Sequence, residues 1–211
     1  MAQMQYSPFT SLQNLVRQRD AREACDLCGL ALSSAHQHLI EPSTRKLLCA
    51  CDACALLFHS PTPTKYKRVP RRVQFLTNFQ MTDAEWESLM IPIGMAFFLK
   101  SSSQECTLAI YPSPAGPTDS LLSLDAWQEI VSHNPVLGSM EPDVEALLVN
   151  RLDAPRTAPE YYIVPVDKCY QLVGLIRANW RGLSGGQEVW IQIRRFFDEL
   201  KMQAGVGFTR A

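Results

Sequence analysis

Cys25-Asp26-Leu27-Cys28 and, after an interval of twenty residues, Cys49-Ala50-Cys51-Asp52-Ala53-Cys54 decide how this chain is read. Two C-x2-C pairs separated by a loop can bring four thiolates tetrahedrally around one metal ion, with metal–sulfur bonds of about 2.3 Å for zinc. Such an ion holds together a segment too small to fold alone. Cys25, Cys28, Cys51 and Cys54 form the best ligand set. Cys49 is either an alternate ligand or a small buried thiol. His36, His38 and His59 flank the pairs. The donor set fits zinc, with iron as the alternative. The competing readings are free or redox-active thiols and a disulfide framework, which needs an oxidising compartment.

Met1-Ala2-Gln3-Met4-Gln5-Tyr6-Ser7-Pro8 carries neither a basic nor an apolar segment of a secretory signal. The longest apolar run, residues 91–99, is too short to span a bilayer. A cytoplasmic location with reduced thiols is therefore expected.

The 211 residues are 46% hydrophobic and 19% charged, which suits a sizeable core plus a small appendage. The net charge of −1 hides an asymmetry. Residues 1–72 hold ten Lys/Arg against five Asp/Glu, whereas the remainder holds ten against sixteen. The basic excess is concentrated in Lys65, Lys67, Arg68, Arg71 and Arg72. With Tyr66 among them, a nucleic-acid interface is conceivable, through phosphate contacts and base stacking. Overall charge near zero favours a strip docked on the acidic remainder instead.

Four segments are expected. Residues 1–23 read as an N-terminal helix, with Phe9, Leu12, Leu15 and Val16 at helical spacing and Thr10 or Ser11 as N-cap. Residues 24–60 form the four-cysteine ribbon. Residues 61–72 are a basic, Pro-rich linker. Residues 73–211 form an α+β domain, an antiparallel sheet with helices on one face.

Within that domain, Thr82-Asp83-Ala84-Glu85 is a capping box ahead of a short helix burying Trp86, Leu89 and Met90. Residues 95–100 and 106–111 form a hairpin. Residues 112–117 read as a rigid loop. Leu124, Trp127, Ile130 and Val131 mark a helix ending before Asn134-Pro135. Pro142–Arg151 is open between helix and strand. Residues 161–166 and 170–177 look like a strand pair turned at Asp167-Lys168. Ser184-Gly185-Gly186 opens a last helix burying Val189, Trp190, Ile193, Phe196, Phe197 and Leu200.

Leu183-Ser184-Gly185-Gly186-Gln187 matches the signature of ATP-binding-cassette ATPases, but no glycine in the chain is followed by lysine, so the phosphate-cradling loop is missing. It reads as a helix start. Catalytic pairings are poor. His133 sits at a helix end, Asp143 and Glu145 are two apart, and Cys169 has no histidine close in sequence. A non-enzymatic protein is expected.

Residues 25–29 and 48–58 resemble the N-terminal part of an uncharacterised bacterial family with a CxxC…CxCxxC metal module. So do Ile91–Phe98, Tyr111–Gly116, Pro142–Arg151 and Trp180–Gly186. Members are encoded beside nickel–iron hydrogenases of the actinobacterial type. The resemblance implies an accessory or scaffold protein for hydrogenase assembly or function, with a hydrogenase subunit or maturation factor as partner. It transfers no catalytic residue. Cys25-x2-Cys28-Gly29 also resembles the knuckles of rubredoxins and zinc ribbons, implying a rubredoxin-like electron carrier or a zinc-ribbon nucleic-acid binder as alternatives. Ala55 departs from rubredoxin, where glycine is usual.

Overall fold

The computed structural model describes residues 23–59, 65–120, 124–153 and 157–206. The helix expected within residues 1–23 lies outside them except for Glu23. The described elements are β1 (Gln37–Glu41), β2 (Lys46–Ala50), α1 (Asp52–Leu57), β3 (Lys67–Arg68), β4 (Gln74–Phe75), α2 (Asp83–Ser88), β5 (Met95–Ser101), β6 (Cys106–Ser113), β7 (Gly116–Ser120), α3 (Leu124–His133), a 3₁₀ turn (Pro135–Ser139), β8 (Glu145–Asn150), β9 (Glu160–Pro165), α4 (Val166–Asn179) and α5 (Gly186–Val206). They build two antiparallel sheets, one of three strands in the order β2-β1-β3 and one of six in the order β4-β9-β8-β5-β6-β7. This is a mixed helix and antiparallel-sheet architecture.

The large sheet is covered on both faces, not one. Strand alternation sorts its side chains. Phe97, Leu148, Tyr162 and Val164 meet Leu172, Ile176, Val189, Ile193 and Phe197 of α4 and α5. Phe98, Leu147, Val149 and Ile163 meet Leu89, Trp127, Ile130 and Leu137 on the other side. Double coverage explains why β8 has no polar face and why its sequence alone left helix and strand open. Full burial of each such apolar side chain contributes about 1.5–3 kcal/mol.

Local signals place several elements. The Thr82 side chain accepts from the Glu85 amide and Glu85 reaches back to the Thr82 amide, completing the capping box. Met90 is not part of the buried stripe. It lies past the helix end at φ 55° and is 77% exposed. Residues 112–117 are not a loop: β6 runs on to Ser113 and pairs with β7, turning at Pro114-Ala115.

Val166–Asn179 is a helix and not a strand turned at Asp167. Cys169, Leu172, Val173 and Ile176 recur at a spacing of three to four residues and are all buried. Alternation was the wrong period for this segment.

The small sheet sits against the large one. β1 turns Leu39 into the module's own core and Ile40 into the large core, where Val69 joins it. Lys67–Arg68, expected in a linker, pair with Leu39 and Ile40 as β3. Lys67 Nζ donates to Asp143 at 2.6 Å, and Arg72 grips Glu145 through two hydrogen bonds of 3.1 Å. Both carboxylate side chains are under 5% exposed. At the hairpin tip Arg45 clasps Asp119 of β7 through two more bonds.

Gly185 has φ 85°, and a Cβ there would lie 2.9 Å from Val189 Cγ1 and 3.1 Å from the Trp180 ring. Gly185→Val is expected to cost about 2–4 kcal/mol from backbone strain and overpacking. Gly174, exposed inside α4 with nothing near its missing Cβ, provides the opposite case: Gly174→Ala should stabilise by about 0.5–1 kcal/mol. Urea denaturation of both variants checks the pair. Arg72→Ala, which strands a buried carboxylate, should cost about 2–3 kcal/mol in the same assay.

Candidate metal centre

The backbone shapes two differently built cysteine pairs. Gly29 takes φ 75°, letting its amide donate to Cys25 O at 2.8 Å and close the first knuckle. The Asp26 amide donates to Cys49 O, and the Cys49 amide returns a bond to Asp26 Oδ2 at 2.6 Å, tying the knuckle to the end of β2. The second pair is not another knuckle. Cys51 is the N-cap of α1, its sulfur accepting from the Cys54 amide at 3.4 Å, and Cys54 lies in the first turn. A helix start directs free N–H groups and a positive dipole end at thiolate charge.

The four sulfurs of Cys25, Cys28, Cys51 and Cys54 all lie within 4.8 Å of one another. A tetrahedron with metal–sulfur bonds of about 2.3 Å has edges of about 3.8 Å. The Cys28–Cys51 sulfur separation is 3.7 Å. Cys25, Cys51 and Cys54 are buried and Cys28 is exposed. The residues present thus fit one four-coordinate ion.

Burial alone would raise the Cys25 thiol, but hydrogen bonds from the backbone at Cys51, Leu27 and Cys28 outweigh it and hold the pKa at about 6. Cys54 goes the other way, pushed up to about 12 by burial and by the thiols of Cys51, Cys28 and Cys25. Four thiols crowded together therefore do not ionise alike. A bound dication removes the conflict, since it holds every coordinating sulfur as thiolate.

Cys49 is placed elsewhere. On β2, Leu48 and Ala50 point into the module core beside the tetrad, so alternation turns Cys49 to the opposite face. There its sulfur lies within 4.8 Å of ring nitrogens of His36 and His38. His59 instead accepts a bond from the Arg68 amide through Nδ1. Cys106 donates to Gln104, and Cys169 is buried among core side chains. His133 pairs with Glu85 at 3.1 Å. The one available hint of the His36–His38–Cys49 grouping was the His36-x-His38 spacing, which puts both rings on one side of an extended chain. The Asp167 contact to His38 spans 129 positions and had no sequence signal.

Residues 24–204 match the model of a family described as a family of unknown function (DUF5947). No curated protein and no solved structure matches the chain.

Cys28→Ser should lose the tetrad's metal and unfold residues 24–59, because a structural zinc site supplies roughly 10–16 kcal/mol to a small module. Cys106→Ser should keep the metal. Elemental analysis with amide hydrogen exchange reads both outcomes.

Proposed function

The chain belongs to this family, and we propose that it is a zinc-binding accessory or scaffold protein, not an enzyme, whose zinc-ribbon-like module presents a surface to a protein partner in the cytoplasm. The observation that carries the reading is the closed set of four thiolates. Four protein ligands complete a tetrahedron and leave no position for substrate, which suits a structural zinc rather than a catalytic one. Close in sequence to its ligands stand exposed apolar residues: Leu30 is 59% exposed, Leu56 67%, Leu57 78% and Phe58 43%. Exposed apolar side chains following the ligands of a rigid metal clasp suit protein docking. The resemblance in sequence suggests a nickel–iron hydrogenase subunit or maturation factor as that partner.

The basic segment supports a protein rather than a nucleic-acid partner. Lys65 pairs with Glu41, Lys67 with Asp143 and Arg72 with Glu145, while Arg71 donates to the His36 carbonyl. Those cations are engaged within the chain, so fewer remain for phosphates. A rubredoxin-like electron carrier is the second reading, favoured by the exposed Cys28, which would bring a redox-active iron to the surface.

Elemental analysis and a visible spectrum of protein purified without added metal separate the two. Zinc with a colourless tetrad is expected, and a coloured iron site would establish the electron carrier instead. Leu57→Glu should leave zinc content and thermal stability unchanged while weakening capture of purified hydrogenase subunits and maturation factors by at least about tenfold. Absence of any binding to these by the wild type would remove the assigned partner.

A further inference from the structure

Three side chains outside the cysteine tetrad converge on the other face of the small sheet. His38 and Cys49 are directly opposed on β1 and β2, which sets their Cβ atoms side by side. His36, two residues before His38, falls on the same side of the chain. One ring nitrogen of each histidine and the Cys49 sulfur lie within 4.8 Å of one another.

Hydrogen bonding sets the ring tautomers. His36 Nδ1 donates to Ser33 O at 2.9 Å, and His38 Nδ1 donates to Asp167 Oδ2 at 2.7 Å. In the neutral rings both Nε2 atoms therefore carry lone pairs. The His36 side chain is only 6% exposed, and its Nε2 is buried with no hydrogen-bond partner among the described residues. Packing accounts for the edge-to-face contact of the two rings, but not for a buried bare nitrogen. The His38–Asp167 bond has the form in which a carboxylate orients a metal-ligating imidazole.

We propose that His36 Nε2, His38 Nε2 and Cys49 Sγ form a second metal site for a divalent late first-row cation, zinc above all. Imidazole and thiolate donors suit zinc and its neighbours, whereas magnesium and calcium require oxygen donors. Binding releases the Cys49 proton to solvent and leaves the imidazoles neutral. The cation and one thiolate carry a net positive charge, which Asp167 faces through His38. Three protein ligands leave a fourth position for water or an anion. His36, His38 and Asp167 line a cavity of about 330 Å³ that Arg71 and Lys168 also border, so an exogenous ligand there would meet cationic neighbours. The site joins strands of the small sheet to the first turn of α4 and does not depend on which metal fills the tetrad.

The test is titration of the full-length protein with zinc, and with cobalt(II) as a spectroscopic probe, after dialysis against a mild chelator that leaves the tetrad loaded. Expected is one further equivalent per chain, with a thiolate-to-cobalt charge-transfer band that disappears in Cys49→Ala. His36→Ala should abolish the second equivalent while retaining the tetrad metal. Asp167→Asn, a change at a positioning residue, should weaken binding about 10–100-fold while keeping the band. His36→Ala removes no hydrogen bond from the small sheet, so it remains informative if Cys49→Ala folds poorly. Failure of the wild type to take up metal beyond the tetrad would overturn the proposal. Uptake undiminished in both Cys49→Ala and His36→Ala would overturn it equally.

Discussion

Asp143 and Glu145, at the approach to and the start of β8, hold the cysteine module against the large sheet. Asp143 adopts φ 72° with its side chain 3% exposed, a conformation and a burial that a charged residue tolerates only when its surroundings fix it. The Ser102 amide and hydroxyl and Lys67 Nζ all donate to its carboxylate. Glu145 takes Arg72 and the Glu141 amide. The cations come from the segment leaving the module and the anions from the centre of the sheet. Removing either cation leaves a buried carboxylate without its partner, so the seam binds both parts into one orientation.

The module has little else to stand on. Among the described residues its own core contains seven buried ones, and three of these are the cysteines Cys25, Cys51 and Cys54. A core of that size cannot offset the conformational entropy of ordering some thirty-five residues. Two supports make up the difference. One is the capacity of four thiolates to bind a cation. The other is the loan of Ile40 and Val69 to the large core, which makes the outer face of the small sheet an inner face of the whole protein. The two supports act on opposite faces of β1, and the His36–His38–Cys49 group lies on the second.

The cysteine tetrad was legible because C-x2-C spacing is local and its chemistry is narrow. The capping box at Thr82 and the opening of α5 were legible for the same reason, since a few adjacent residues carry each signal. What was not legible has several physical origins. In residues 161–177 a buried strand runs straight into a helix, and apolar residues on both sides of the boundary blur the change of period at Pro165. β8 offered no period at all because both of its faces are covered. The strand at Lys67–Arg68 was not legible because two prolines and a run of cations describe composition, while pairing with β1 depends on a partner nearly thirty residues away.

The clasp between Arg45 and Asp119 bears on how copies of this protein behave toward one another. A six-stranded sheet exposes two borders, each a row of unpaired amides and carbonyls on which another chain could grow by strand addition. One border here is β4, only two residues long. The other is β7, whose Pro117 lacks an amide and whose Asp119 carries a charge held in place by the hairpin tip of the small sheet. Loss of the small module would release the Asp119 carboxylate from Arg45. That border is thus guarded by its own residues, a proline and a carboxylate, and the metal module adds only the fixing of the carboxylate's position.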